Sequence, residues 1–271
     1  MRGTSQASLR SVENRFEPVL RAAGVESATL GEQLFALVDA LDSSGALRRT
    51  LADPSADGDA KAQLVAHVLR DAHTSTVAVA QELVRARWSA DVDLTEAVEH
   101  LAFHAVLASA EATGTLERVE EDLFRVTRAL AGQRDVRRIL SDDATSTSQA
   151  RVQLLDAILA GGATPAAALL ARRATAKPRG RRFVTTLGHV GDLVAERRNR
   201  QVATVTSATE LSAVQRTRLE GILERAYGQP VQLNVIVDEN VLGGLRIQVG
   251  AEVVDSTVLS RLADARRRLA S

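Results

Sequence analysis

The sequence predicts a mainly α chain, in which tandem N-terminal helical bundles precede a small C-terminal α+β domain. Three observations point to this. Aromatic residues make up 3% of a chain that is 45% hydrophobic, so Ala, Leu and Val must fill the interior, and such small side chains suit closely packed helices. Apolar residues recur at helical spacing from Val12 to Val194. Beyond Gln201 the spacing changes to alternation: Val231, Leu233, Val235 and Val237 fall on one side of an extended segment.

Each element has its own signal. Val12, Phe16, Val19 and Leu20 mark a first amphipathic helix. Thr29 and Glu32 have the spacing of a capping box, opening a helix buried through Leu30, Leu34, Leu37, Val38 and Leu41. A short helix from Ala46 to Ala52 should stop at Asp53, because Pro54 disfavours helical backbone in the residue before it. Leu64, Val65, Val68 and Leu69 mark a fourth helix, and Val77, Ala80, Leu83, Val84 and Trp88 a fifth. A long helix, about Leu94 to Glu111, comes next, and Gly114 interrupts the pattern.

The pattern then starts again. Leu30, Leu34, Phe35, Leu37 and Leu41 map onto Val119, Leu123, Phe124, Val126 and Leu130, each 89 positions later. Leu47, Arg48, Arg49 and Asp53 map at the same offset onto Val136, Arg137, Arg138 and Asp142. Amphipathic helices match one another by chance, so the Arg pair and the loop Asp carry most of the weight. We read a tandem duplication: a first bundle over 1–104, a second over 105–200, sharing or continuous through the helix near 94–111, and a C-terminal domain over 201–271. The second copy should run through Asp135–Leu140, Gln149–Leu159, Pro165–Thr175 and Arg182–Arg198.

In the C-terminal domain, Val202 to Thr206 is β-prone, and Ser212 with Gln215 forms a capping box for a helix through Leu219, Ile222, Leu223, Ala226 and Tyr227. Gly228 ends it and Pro230 prevents resumption. Val231–Val237, a polar turn, and Leu245–Val249 then read as strand, turn, strand. Glu252–Asp255 is a short edge-like strand, and Val258, Leu262, Ala265 and Leu269 form the stripe of a final helix.

Composition narrows the function. The chain has no cysteine, which excludes disulfides, thiolate catalysis and Cys-ligated zinc. Its 34 basic residues balance 34 acidic ones, whereas nucleic-acid binders usually carry a basic excess. No apolar run approaches the roughly 20 residues of a membrane span, and the N-terminus lacks an apolar signal core. Any membrane association should come through a partner.

Candidate sites are few. His100 and His104 are one helical turn apart with Glu96 and Glu99 nearby, but the zinc-protease pattern requires Glu directly after the first His, where Leu101 stands. Solvent-facing helix residues are expected, with no metal. Gly243 and Gly244 precede a strand, not a helix, so they are a structural turn and not a phosphate loop. Lys177 to Arg182 is the strongest basic cluster, expected as a solvated loop between helices. No nucleophile–base constellation is found, so neither a catalytic residue nor a cofactor is expected.

The segment Val237 to Gly250, with Val253 to Asp255 and Ser260 to Leu262, resembles the C-terminal motif of the delta subunit of F-type ATP synthases, the family that includes the oligomycin-sensitivity-conferring protein. The resemblance is specific from about Gln201 onward and architectural before it. Within the motif, Asp238, Gly243, Gly244, Gly250, Asp255, Arg261 and Leu262 match as structural residues. The family normally has one six-helix bundle; the duplication resembles the longer form of some actinobacterial relatives. The resemblance implies a non-catalytic stator subunit in the peripheral stalk of a proton-translocating ATP synthase, held at the cytoplasmic face of the bacterial plasma membrane through that complex. Its implied partners are the N-terminal helix of an alpha subunit, taken in an apolar groove between the first and fifth helices of the bundle, the alpha/beta head, and the b subunits of the stalk. No nucleic acid is among them. The competing expectation is an Arg-rich helical nucleic-acid-binding or scaffold protein, whose DNA binding would be steeply salt-dependent.

Overall fold

The computed structural model describes residues 1, 3–141, 146–159, 162–199, 201–228, 231–238, 241, 244–249 and 252–255. They fall into two units, Met1–Val194 and Ala195–Ser271. The helical region, read from sequence as two bundles sharing or continuous through the helix near 94–111, has a single core running from Val12 to Val194. The long helix at the junction is covered on all sides along residues 101–110.

The first half of the helical unit comprises α1 (Gly3–Ala23), α2 (Ser27–Ser43), α3 (Gly45–Ala52), α4 (Gly58–Val68), α5 (Thr74–Arg85) and α6 (Asp91–Ala112). The second comprises α7 (Leu116–Ala129), α8 (Arg134–Ser141), α9 (Ser148–Leu159), α10 (Pro165–Ala176) and α11 (Phe183–Asn199). In α6 every residue from Leu101 to Ala110 is buried. Closest to it lies α2, because Gly31 has no side chain: a Cβ there would stand 2.9 Å from the Ala102 carbonyl oxygen and 2.7 Å from Val106 Cγ2. The Leu residues of α2 and α7 anticipated as core are buried, as are Val119 and Val126.

Helix ends follow local chemistry. Asp53 is extended before Pro54 and ends α3, and Gly114 (φ 65°) separates α6 from α7. The Ser44 and Asp57 side chains accept the free amides of Leu47 and Ala60. The capping box at Thr29 is not made. A short 3₁₀ turn, Gly24–Glu26, lets α1 pass almost directly into α2, so Thr29 is already inside the helix. The turn is possible because Gly24 adopts a positive φ of 54°. Trp88, expected on α5, lies beyond its end; it is buried nonetheless, its indole N–H donating to the Leu83 carbonyl at 2.8 Å.

The second unit contains β1 (Gln201–Ser207), α12 (Ala213–Tyr227), β2 (Val231–Val237), β3 (Leu245–Val249) and β4 (Glu252–Asp255). Both halves of the Ser212–Gln215 capping box are present, and Gly228 closes α12 in the left-handed conformation. The expected strands pair in a sheet of order β2-β1-β3-β4. β1 pairs in parallel with β2, from Gln201↔Val231 to Ser207↔Val237, and antiparallel with β3, from Ala203↔Val249 to Ser207↔Leu245. Parallel neighbours require a crossover, which α12 supplies, so β1 enters the place a hairpin partner would take. Ala203, Val205, Leu219, Leu223, Val231, Leu233 and Val249 form the core. Val237, expected inward, is 48% exposed at the end of β2. The expected final helix lies outside the described residues.

Candidate functional site

A groove of about 720 Å³ opens beside the C-terminal half of α1. Its walls are Pro18, Val19, Ala22 and Ala23 from α1, Glu26 from the turn after it, Thr29 and Leu30 from α2, and His73 and Ser75 at the start of α5. Leu30 is buried, while Ala22, Glu26 and Thr29 are exposed, so the groove has an apolar base and a rim that includes the Glu26 carboxylate. Such a trough suits the side chains of an amphipathic helix laid along it. The entry of α5 is held by Gln33 of α2, whose Oε1 accepts from the His73 N–H at 3.0 Å and the Thr76 hydroxyl at 2.7 Å.

The second half has a counterpart of this helix entry. Asp122 of α7, 89 positions after Gln33, accepts from the Thr164 N–H at 2.6 Å and so holds the entry of α10. Ala166, Ala167, Leu170, Ala171 and Ala174 of α10 are all buried, and α10 packs against α6 and α7. Buried cations also recur. Lys61 of α4 donates to the Asp53 carbonyl at 2.8 Å, and Arg151 of α9 donates to the Thr175 carbonyl at 3.1 Å. Burial lowers the Lys61 pKa, against the pull of Asp53 and Asp57.

The basic loop at 177–182 is not a free solvated cluster. Arg179 meets Asp42 at 2.6 Å and Glu99 at 2.8 Å, Arg181 also pairs with Glu99, and Lys177 lies 3.8 Å from Asp39. Arg173 of α10 contacts Asp39 at 2.9 Å and lies over the Phe35 ring. Burial opposes the charge on Arg179, but Glu99 and Asp42 outweigh it and raise its pKa. These acids sit on α2 and α6, far away in sequence, and the loop is spent on joining the halves of the helical unit. That removes the feature that favoured nucleic acid.

His100 and His104 are not solvent-facing: the first is half-buried and the second buried. The carboxylate beside both is Glu13 of α1, not Glu96 or Glu99. Of the motif residues in the second unit, Gly244 has φ 83°, the Asp238 N–H donates to the Ser207 carbonyl at 2.9 Å, and Asp255 stands opposite Arg246 in the β3–β4 register. Gly243, Gly250, Arg261 and Leu262 lie outside the described residues. Among the described residues no helix is long and apolar enough to cross a membrane.

A family model for the ATP synthase delta (OSCP) subunit matches residues 104–269, from within α6 almost to the end of the second unit. The chain belongs to the ATP synthase delta (OSCP) subunit family. Relatives extend the likeness to the first half of the helical unit. The ATP synthase subunit delta of Beutenbergia cavernae is 50% identical over 271 residues, all of both chains. That of Thermobifida fusca is 40% identical, again over all of both, and that of Kineococcus radiotolerans is 41% identical over 99% of this chain and 97% of its own. A chain of the Toxoplasma gondii mitochondrial ATP synthase hexamer covers 62% of this chain, with 95% of its own length covered, at 18% identity; its TM-score of 0.28 carries no argument. Family membership thus runs through both units. The groove beside α1 lies outside the span of the family model, in the part shared with the long relatives.

Proposed function

We propose that this delta-family chain is the non-catalytic stator link of a proton-translocating F-type ATP synthase. It joins the alpha/beta head to the b-subunit stalk at the cytoplasmic face of the plasma membrane and resists rotor torque. The observation that carries this reading is the family match through both units, with full-length relatives that are delta subunits.

The halves of the helical unit are best read as two copies of one bundle. What supports this is the repeated order of helices and the equivalent staples from Gln33 and Asp122. Within this reading the alpha subunit's N-terminal helix occupies the groove between α1 and α5. That groove stands open beside α1 in the first half. The b subunits are assigned to the second unit, which carries the family-motif residues Asp238, Gly243, Gly244, Gly250, Asp255, Arg261 and Leu262.

Two substitutions test both ends. Ala22→Trp fills the groove from an exposed position and is expected to weaken head binding at least tenfold in a pull-down while leaving b binding intact. Gly244→Val forces a β-branched residue to positive φ, a strain of about 1–3 kcal/mol, and is expected to weaken b binding while leaving head binding intact. Unchanged head binding by a folded Ala22→Trp protein moves the alpha site elsewhere, and unchanged stalk binding by a folded Gly244→Val protein removes the second unit from the b contact.

A further inference from the structure

Glu13 of α1 meets His100 and His104 of α6 in a cluster that the stator reading does not use. One ligand atom from each residue lies within 4.8 Å of the other two. Glu13 Oε2 is 3.8 Å from His100 Nε2, and Glu13 Oε1 is 3.6 Å from His104 Nε2. The i, i+4 spacing puts both imidazoles on one face of α6, with ring centroids 4.4 Å apart. Around a tetrahedral zinc ion with bonds of about 2.0–2.2 Å, ligand atoms stand roughly 3.4 Å from one another. The contacts at 3.6 and 3.8 Å use different carboxylate oxygens, so three single ligand atoms, now within 4.8 Å of one another, must close by up to about 1.4 Å through side-chain rotation.

The donor set chooses among cations. Two imidazoles and one carboxylate suit zinc and its transition-metal neighbours; calcium and magnesium take oxygen ligands. Burial suits a bound ion with one open side: the His104 side chain is 1% exposed, and those of Glu13 and His100 are 16% and 20% exposed. Three protein ligands leave a fourth position for water. Among the described residues this is the group of His, Cys, Asp and Glu that approaches a metal site.

We propose that Glu13, His100 and His104 bind one Zn²⁺ ion that pins α1 to α6. The ion replaces a contact between one carboxylate and two imidazoles with three coordinate bonds across the two helices. Because α1 also carries Pro18, Val19, Ala22 and Ala23, pinning it fixes one wall of the groove. The site stands on its own geometry and does not depend on the stator reading.

The test uses the full chain stripped of metal by a chelator. Zinc, titrated against a chromogenic competitor, is expected to bind at one equivalent and to raise Tm by about 5 °C at a hundredfold excess over Kd. Cobalt, as a spectroscopic stand-in, is expected to give the visible absorption of a four-coordinate nitrogen and oxygen site. Glu13→Gln and His100→Gln, both at half-buried positions, should each lose at least tenfold in affinity and most of the Tm shift. His67→Gln on α4 should change neither. Absence of a bound equivalent in the wild-type chain overturns the proposal. So does binding, with its cobalt spectrum, that survives Glu13→Gln and His100→Gln together.

Discussion

Phe35 and Phe124 hold the same place in two successive runs of helices and end in opposite surroundings. Phe35 is 4% exposed, meets Phe103 edge-on with ring centroids 5.3 Å apart, and has the Arg173 guanidinium 4.7 Å above it. Phe124 is 64% exposed. The other four positions matched at the same offset, Leu30/Val119, Leu34/Leu123, Leu37/Val126 and Leu41/Leu130, are buried in both halves. The difference teaches what repetition does. It reproduces the contacts inside each half, including the staples from Gln33 and Asp122, but it does not reproduce what lies outside. α6 packs along α2 and Arg173 of α10 reaches the Phe35 ring, so Phe35 becomes core, while Phe124 stays exposed.

The largest expected effect separates these two residues. Phe35→Ala should cost about 3–5 kcal/mol through the cavity and lost contacts in a single shared core, whereas Phe124→Ala should stay within about 0.5 kcal/mol. Chemical denaturation followed by circular dichroism measures both. Equal costs would break the comparison by showing that Phe124 is covered in solution.

A smaller effect distinguishes the staples. Asp122→Ala leaves the Thr164 N–H buried without its charged acceptor and should cost about 2–3 kcal/mol; Gln33→Ala should cost about 1–2 kcal/mol, because the acceptor it removes is neutral and the His73 N–H it frees is exposed, although the Thr76 hydroxyl is buried. Hydrogen exchange at the first turns of α5 and α10 reads each staple locally. Faster exchange confined to α10 in Asp122→Ala, and to α5 in Gln33→Ala, is expected. Loss of protection across the whole unit in either variant would mean that the staple holds the core and not one helix entry.

The smallest effect concerns His189 on α11, which aligns with Ala97 on α6 when the two helices are matched from their first residues. Desolvation, then His100 and Arg181, lowers the His189 pKa below its usual 6.5. Between the lowered value and 6.5 the unfolded chain binds more protons than the folded one. This contribution to stability is therefore complete above about 6.5 and lost as pH falls through the window beneath it. His189 remains partly open to solvent, so the slope should be slight. His189→Gln should flatten the decline in Tm between about pH 7 and about pH 5.5. A slope identical to that of the wild type assigns the decline to other groups.

Periodicity, punctuation and offset made much of the fold legible. The positions of α2 to α11 and of all four strands follow from apolar spacing interrupted by Pro54, Gly114 and Gly228, because backbone propensity and one-sided burial act over a few residues. The C-terminal motif was legible too, since a turn that needs positive φ at Gly244 demands glycine at that position in the chain.

Long-range pairing was not legible, because charge complementarity and close approach depend on which helices meet. Nothing in the run from Lys177 to Arg182 reveals that Asp39, Asp42 and Glu99 await it, so a loop of cations resembled a free surface until α2 and α6 were brought to it. The spacing of His100 and His104 exposed two possible ligands on α6, while the third, Glu13, comes from a helix 87 residues earlier. Strand order behaved in the same way: alternation marked β1, β2 and β3, but only the crossover through α12 put β1 between the other two. Local sequence determined what each segment became. Tertiary packing decided which charges were neutralised, which phenylalanine was covered and where a groove stayed open, since those outcomes belong to pairs of segments and not to either one alone.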